Sequence, residues 1–343
     1  TDYVYMDGRA RGFGTLTIGN NTANNSISTN KYRQMIVQGE FWGQGPHQIS
    51  GGSIELYGSL VARVVDAPIT VRAASWIWGY ERNTSHGLAN VPYSGIQTNK
   101  GDIVLWANEG TFNDGLVYIA DRYNLNSDNG YNPRFGNVAA SQTRTGGGDI
   151  IIAGGEDTNT DGRPDGAVLR NQGASHCGIR IGTSNGENTF YSGGGDITIK
   201  GKTNNANMTG VCIVGGYYGT NLSNVYTGDS SGKVIASGRG RIIIEGEGLA
   251  TNSIGLALGE NTYGGVSIRS GYNATATESA IVLLGKTVST WPALRFGFYA
   301  HDHYGHDSLI QATGTGGISL IGDNPASASW YSIEFNGASI LSR

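Results

Sequence analysis

Cysteine, proline and charge are all scarce in this chain, and each scarcity excludes something. Two cysteines in 343 residues, Cys177 and Cys212, are too few for a disulfide scaffold. They flank similar short strands in different registers, so two buried free thiols are the expected state. Seven prolines without a Gly-X-Y period exclude collagen. Charged residues make up 15% and net charge is −4, with no run of Lys or Arg longer than two, so a nucleic-acid footprint is missing. No apolar stretch approaches the ~20 residues of a membrane helix. The chain starts at Thr1 and shows no signal peptide, which reads as a processed or excised piece of something longer.

What is abundant is glycine, 56 residues, together with Asn, Ser and Thr. Apolar residues reach 38%, too rich in Ile, Val and Tyr for a disordered chain. Helical periodicity is absent, and the composition fits an all-β protein with many tight turns.

Self-similarity narrows this further. Gly-Asp-Ile occurs at 101–103, 148–150 and 195–197, at equal intervals (148 − 101 = 47 and 195 − 148 = 47). Looser copies are Gly52-Ser53-Ile54, Gly240-Arg241-Ile242, Gly265-Val266-Ser267-Ile268 and Gly317-Ile318-Ser319-Leu320. A second strand follows about fifteen residues later, as at Gly115–Ile119, Gly210–Val214, Ile254–Gly259, Ala280–Gly285 and Tyr331–Phe335. Asp121–Thr145 reads as loop, and Lys233–Ala236 as one more strand. The shortest unit, Gly240 to Gly265 (265 − 240 = 25), suits one turn of a three-faced solenoid, and the 47-residue units hold either a second coil or a long lateral loop. The expected fold is an all-β, right-handed parallel β-helix of about eight to thirteen coils with long lateral loops, stacked at ~4.8 Å. Residues 1–50 form a strand-rich cap or the start of the stack, and 51–343 the repeating units. Ile103, Ile150, Ile197 and Ile242 should share one inward ladder, with glycines supplying φ > 0 corners. Asp102, Asp149 and Asp196 begin strands, where a carboxylate accepts backbone N–H bonds, so they read as a structural corner rather than a catalytic pair.

Gly147-Gly148-Asp149-Ile150-Ile151-Ile152-Ala153-Gly154, Gly194-Gly195-Asp196-Ile197-Thr198-Ile199-Lys200-Gly201 and Gly316-Gly317-Ile318-Ser319-Leu320-Ile321-Gly322 resemble the repeat strands of filamentous-haemagglutinin-like exoproteins. The resemblance covers residues 50–340 as a style of repeat. It implies a secreted bacterial surface protein with a right-handed β-helix shaft, of a kind often exported by two-partner secretion.

Three local features could carry chemistry. Asp157-Thr158-Asn159-Thr160-Asp161-Gly162-Arg163-Pro164-Asp165 matches D-x-N-x-D-G-x-x-D, the opening of an EF-hand-type calcium loop, and is similar to the calcium repeats of thrombospondin type 3 and dockerin modules. Asp157, Asn159, Asp161 and Asp165 would supply side-chain oxygens and Arg163 its carbonyl. Val168 stands where the bidentate Glu would be, and the alternative is a solvated acidic turn. Secondly, His301, His303 and His306 cluster in a segment that is either a metal site or a polar corner. Thirdly, in Ser75-Trp76-Ile77-Trp78-Gly79-Tyr80, a strand with Ile77 inward puts Trp76, Trp78 and Tyr80 on the outer face. Such a strip suits stacking on sugar rings, or it is an aromatic cover. The sequons at Asn83 and Asn207 are the kind an Asn/Thr/Ser-rich chain produces by chance. No P-loop, G-x-S-x-G elbow or organic-cofactor signature is present.

The functional expectation is a structural or adhesive module of an extracellular bacterial surface protein or filament. Its partners would be a further copy head to tail, the remainder of a longer chain, or a surface glycan. The alternative is a polysaccharide-acting enzyme of the tailspike or lyase type, which an acidic cluster breaking the repeat would favour.

Overall fold

The computed structural model describes residues 3–18, 34–80, 94–109, 114–120, 123–127, 147–171, 177–182, 188–214, 223–226, 240–259, 266–273, 278–297, 308–325, 331–336 and 338–342. Among these, every secondary-structure element is a β-strand, and the named strands pair in parallel throughout.

The strands fall into tiers. The first three tiers hold two strands each: β1 (Tyr3–Phe13) and β2 (Leu16–Ile18), β3 (Gln34–Gly43) and β4 (His47–Gly51), β5 (Ser53–Val65) and β6 (Ile69–Ala73). The fourth has three, β7 (Trp76–Tyr80), β8 (Ser94–Asn99) and β9 (Ile103–Glu109). The fifth has β10 (Leu116–Ile119), β11 (Tyr123–Asn126) and β12 (Ile150–Gly155), followed by an insertion that ends in β13 (Val168–Arg170). Then come β14 (Ile179–Ile181), β15 (Thr189–Tyr191) and β16 (Ile197–Thr203), and β17 (Thr209–Ile213), β18 (Ser223–Tyr226) and β19 (Ile242–Gly248). The eighth tier is β20 (Ile254–Leu258), β21 (Val266–Ser270) and β22 (Ser279–Thr287). The ninth is β23 (Leu294–Phe296), β24 (Ser308–Ala312) and β25 (Gly317–Asp323), and β26 (Ile333–Phe335) and β27 (Ala338–Ser342) follow.

Each strand pairs with its counterpart one tier on. The last strands of successive tiers form a ten-stranded sheet that includes β13, and the others form a seventeen-stranded sheet. The long β5 pairs with β7 through its first half and with β8 through its second, which is where one ladder becomes two.

The register explains the repeat. Leu16, His47, Ile69, Ile103, Ile150, Ile197, Ile242, Ile281 and Ile318 occupy one column. The four isoleucines expected to stack therefore do so, all fully buried. Each 47-residue interval advances the sheet by a single strand, so the extra length is lateral segment and not a second tier. Two readings of the repeat are corrected. Gly52-Ser53-Ile54 and Gly265–Ile268 open strands of the larger sheet, with Ile54 opposite Ile77 and Ile268 opposite Ile310. Ala280–Gly285, read as a second strand, belongs instead to the Gly-Asp-Ile column, with Ile281 opposite Ile242. The 25-residue unit is consequently not a tier; the true step there is 281 − 242 = 39 residues. A third correction concerns Asp121–Thr145, within which Tyr123–Asn126 is a strand: its Leu125 alternates inward and is fully buried.

The conserved spacing of Gly, Asp and Ile in the three exact copies has a separate cause at each position. Isoleucine builds the core. Glycine is required by close approach, not by the φ > 0 that the sequence suggested. A Cβ on Gly148 would lie 2.3 Å from the Gly101 carbonyl oxygen, and one on Gly195 2.2 Å from that of Gly148. At this corner a buried hydroxyl donates to the glycine carbonyl, Ser127 to Gly148 and Ser192 to Gly195, both at 2.5 Å, with Thr98 doing the same to Gly101. Aspartate caps the next tier: Asp102 Oδ1 accepts the Asp149 N–H at 2.9 Å, Asp149 Oδ1 that of Asp196 at 2.8 Å, and Asp196 Oδ1 that of Arg241 at 2.7 Å.

Apolar side chains from both sheets form one continuous cluster from Met35 to Ala312. Cys177 and Cys212 are buried thiols, not joined by a disulfide, packed in a small separate cluster with Val214.

Candidate functional site

The acidic segment 157–165 lies in the insertion between β12 and β13. Beyond Ile152, β12 leaves its partner β16, and β13 takes over the pairing, with Val168 opposite Gly201 and Arg170 opposite Thr203. The insertion is thus spliced into one strand position and held at both ends. The Asn108 carboxamide oxygen accepts the Leu169 N–H at 3.0 Å, and Arg170 pairs with Asp114 at 3.0 Å.

Within the loop the acidic side chains turn onto their own backbone. Asp157 accepts the Asp161 N–H at 3.1 Å and the Gly162 N–H at 2.8 Å, while Asn159 Oδ1 also accepts the Asp161 N–H at 3.1 Å. Asp161 accepts the Arg163 N–H at 2.8 Å. Asp165 Oδ2 accepts from the Thr158 N–H and hydroxyl at 2.7 and 2.6 Å. Those two donors, the hydroxyl first, hold the Asp165 carboxyl below its usual pKa. Gly162 takes the left-handed φ of 82° that the turn needs. Asp157 and Asn159 meet at the Asp161 N–H, while the Asp161 carboxylate turns away to the Arg163 N–H. Each of the three accepts from a backbone amide of the loop, and among the described residues no group of three or more His, Cys, Asp or Glu side chains is arranged to hold a metal ion. The donor set is nevertheless all oxygen, the chemistry a hard cation needs.

Arg163 has a role its sequence did not reveal. Its guanidinium spans two tiers, pairing with Asp149 at 2.9 Å and with Asp102. Burial would lower the Arg163 pKa, but the two carboxylates outweigh it and raise it. Asp149 is shifted up, first by burial and then by Asp102, with the Asp196 N–H and Arg163 pulling the other way. Asp102 and Asp149 thus each accept a backbone N–H of the next tier and the Arg163 guanidinium, while Asp196 accepts the Arg241 N–H.

The aromatic strip lies on the outer face of β7. Ile77 is fully buried, and Trp76, Trp78 and Tyr80 are half-buried on the opposite side. Ring centroids are 4.9 Å apart for Trp76 and Trp78, and 5.5 Å for Trp78 and Tyr80, tilted by 57° and 59°. Neighbouring tiers extend the strip. Tyr57 stacks on Tyr80 at 5.1 Å, and Tyr118 meets Trp78 edge-on at 5.7 Å. The Tyr57 hydroxyl donates to Glu55 at 2.7 Å. Tyr57 and Tyr118 were missed because only an aligned register puts them beside Tyr80 and Trp78; for Tyr118 the signal was present in Leu116-Val117-Tyr118-Ile119, which copies the alternation of Trp76-Ile77-Trp78.

His301, His303 and His306, Asn83 and the strand proposed at 233–236 lie outside the described residues. Asn207 is an exposed corner residue that accepts a hydrogen bond from Asn252 at 3.2 Å. No helix among the described residues is long and apolar enough to cross a membrane. No family model, curated protein or solved structure matches this chain.

Proposed function

We propose that the chain is a right-handed parallel β-helix serving as a rigid, non-enzymatic shaft of an extracellular bacterial surface protein or filament, in the manner of the filamentous-haemagglutinin-like exoproteins. One observation carries the reading. The isoleucine column runs through successive tiers without an acidic interruption, and the aspartates beside it are consumed in capping the next tier. A lyase or tailspike hydrolase needs carboxylates free to exchange protons with substrate, and Asp102 and Asp149 are instead tied to amides and Arg163. Small-angle scattering should give an elongated particle, roughly nine intervals of ~4.8 Å along the stack. Incubation with polysaccharides should release no new reducing ends. A compact scattering profile would sink the shaft, and saturable depolymerisation would favour the enzyme.

Segment 157–165 is assigned to structural calcium, through Asp157, Asn159, Asp161, Asp165 and the Arg163 carbonyl. Addition of calcium should raise the melting temperature of the insertion and slow its proteolysis, and Asp157→Ala with Asp161→Ala should remove both effects while the stack stays folded. Identical curves in calcium and chelator would reduce the loop to an acidic turn. The outer edges of β25, β26 and β27 are the contact for neighbouring material, a second copy head to tail or further chain. Sedimentation across a concentration series separates association from a lone particle.

A further inference from the structure

The outer column of the larger sheet changes character along its length. It runs Glu55, Trp78, Tyr118, Arg180, Cys212, Ala257, Arg295, Glu334. From Cys212 to Arg295 these outward positions are buried. From Glu55 to Arg180 they are only half-buried, and this stretch holds both ring positions. Aromatic surface left partly in water on the outside of a sheet marks a contact site.

We infer that Glu55, Trp76, Trp78, Tyr80, Tyr118 and Arg180 form a binding track for an uncharged, extended oligosaccharide of pyranose units. The tiers set the spacing: Trp78 and Tyr118 lie one strand apart with ring centroids 5.7 Å apart, and Trp76 is 4.9 Å to the side, steps comparable to one pyranose in an extended chain. The rings are tilted rather than coplanar. Successive sugars therefore meet ring face and ring edge in turn, which suits a chain whose units present alternating faces. A sugar has an apolar C–H face for the rings and hydroxyls for polar groups at the margins. Glu55, whose carboxylate accepts from the Tyr57 hydroxyl, and Arg180, whose Nε donates to the Gly182 carbonyl, mark the polar ends of the track. The two positions between them are Trp78 and Tyr118, which offer rings and no charge to pair with an acidic or a cationic glycan, so a neutral chain fits best.

The inference rests on the adhesive reading of the shaft, but the two fail separately. A compact scattering profile removes the shaft whatever is bound, whereas the track is decided by calorimetry on the whole chain. The probes are cellohexaose and chitohexaose, neutral hexamers, with polygalacturonate as the acidic comparison. At least one neutral hexamer should bind saturably, and polygalacturonate should not. Trp78→Ala should weaken binding by about tenfold or more, and Trp78→Phe, which keeps a ring in place, by less. Tyr331→Ala, which removes the 78% exposed ring of a distant tier, should leave binding unchanged. Circular dichroism and melting of each variant separate lost binding from lost fold. Absence of saturable heat with both neutral hexamers at millimolar concentration overturns the track. So does equal affinity in Trp78→Ala, or a preference for polygalacturonate.

Discussion

The middle of the isoleucine column and its last tier carry the same sequence signal and have different surroundings. Ile150, Ile197 and Ile242 are fully buried between a tier on each side. Ile318 continues the column and is only half-buried, while Phe335, Ile340 and Leu341 are 49%, 40% and 50% exposed. The glycines answer to the tier before them instead: a Cβ on Gly195 meets the Gly148 carbonyl, and one on Gly316, its counterpart two residues before Ile318, would lie 2.7 Å from the Ala280 Cβ, whereas Gly317, which stands where Asp196 does, has nothing within 4 Å of one. The difference teaches that neither residue type nor strand pattern makes a position core in this architecture. Burial comes from the neighbouring tier, and each tier completes the one before it.

The largest effect should come from charge in the column. Ile150→Asp buries an unpaired carboxylate and should cost about 4 kcal/mol or more, seen as loss of the cooperative melt. Ile340→Asp should cost under about 1 kcal/mol, since the carboxylate reaches water. Equal losses would break the comparison. Glycine substitutions come next. Gly195→Ala forces a Cβ onto the Gly148 carbonyl and should cost about 3 kcal/mol in denaturant titrations. Gly317→Ala should fall within about 0.5 kcal/mol of the parent.

A smaller effect belongs to His47, which occupies the same column between Leu16 and Ile69. It is fully buried, with Nε2 donating to the Val61 carbonyl at 2.8 Å. Burial, outweighing its backbone hydrogen bonds, lowers its pKa from 6.5. The unfolded chain therefore binds this proton at a higher pH than the folded one does. Stability is full above about pH 6.5 and declines as pH falls toward the folded pKa. His47→Leu should flatten that acid limb in a melting series from pH 8 to pH 5, and an unchanged slope would mean that the histidine is not its source. The smallest effect is a gain. Tyr123 is fully buried and its hydroxyl has no hydrogen-bond partner among the described residues; burial raises its pKa, so it stays neutral. Tyr123→Phe should stabilise by about 1 kcal/mol by removing an unsatisfied polar atom.

Much of the fold was legible because the repeat is periodic in both position and chemistry. Three exact Gly-Asp-Ile copies at equal spacing anticipate one column, and the alternation in Trp76–Tyr80 anticipates Ile77 inward with the rings outward. The looser copies misled for a physical reason. In parallel strands buried on one face, a glycine followed by alternating Ile or Val marks a strand start in either sheet, so Gly265–Ile268 and Ala280–Gly285 could not be assigned from pattern alone. Short third strands such as Tyr123–Asn126 carry too few alternating positions to stand out from polar turns. At the acidic loop, the spacing picked out Asp157, Asn159 and Asp161, which accept from backbone amides of the loop. It could not show that Arg163 reaches across to residues 61 and 14 positions away.

By itself, the sequence determined the class of structure: an all-β chain built by repetition, with isoleucine inward and glycine and aspartate at the strand starts. Local alternation and a fixed interval are properties of the chain, and strand pairing can only follow them. Tertiary structure alone decided which sheet each strand joins, that a 47-residue interval is one tier, and why the glycines are glycines. Those answers depend on what lies one tier away, at strand-to-strand distance in space and dozens of residues away in sequence. The same holds for the aromatic track, whose members come from β5, β7, β10 and β14 and meet only once the register is set.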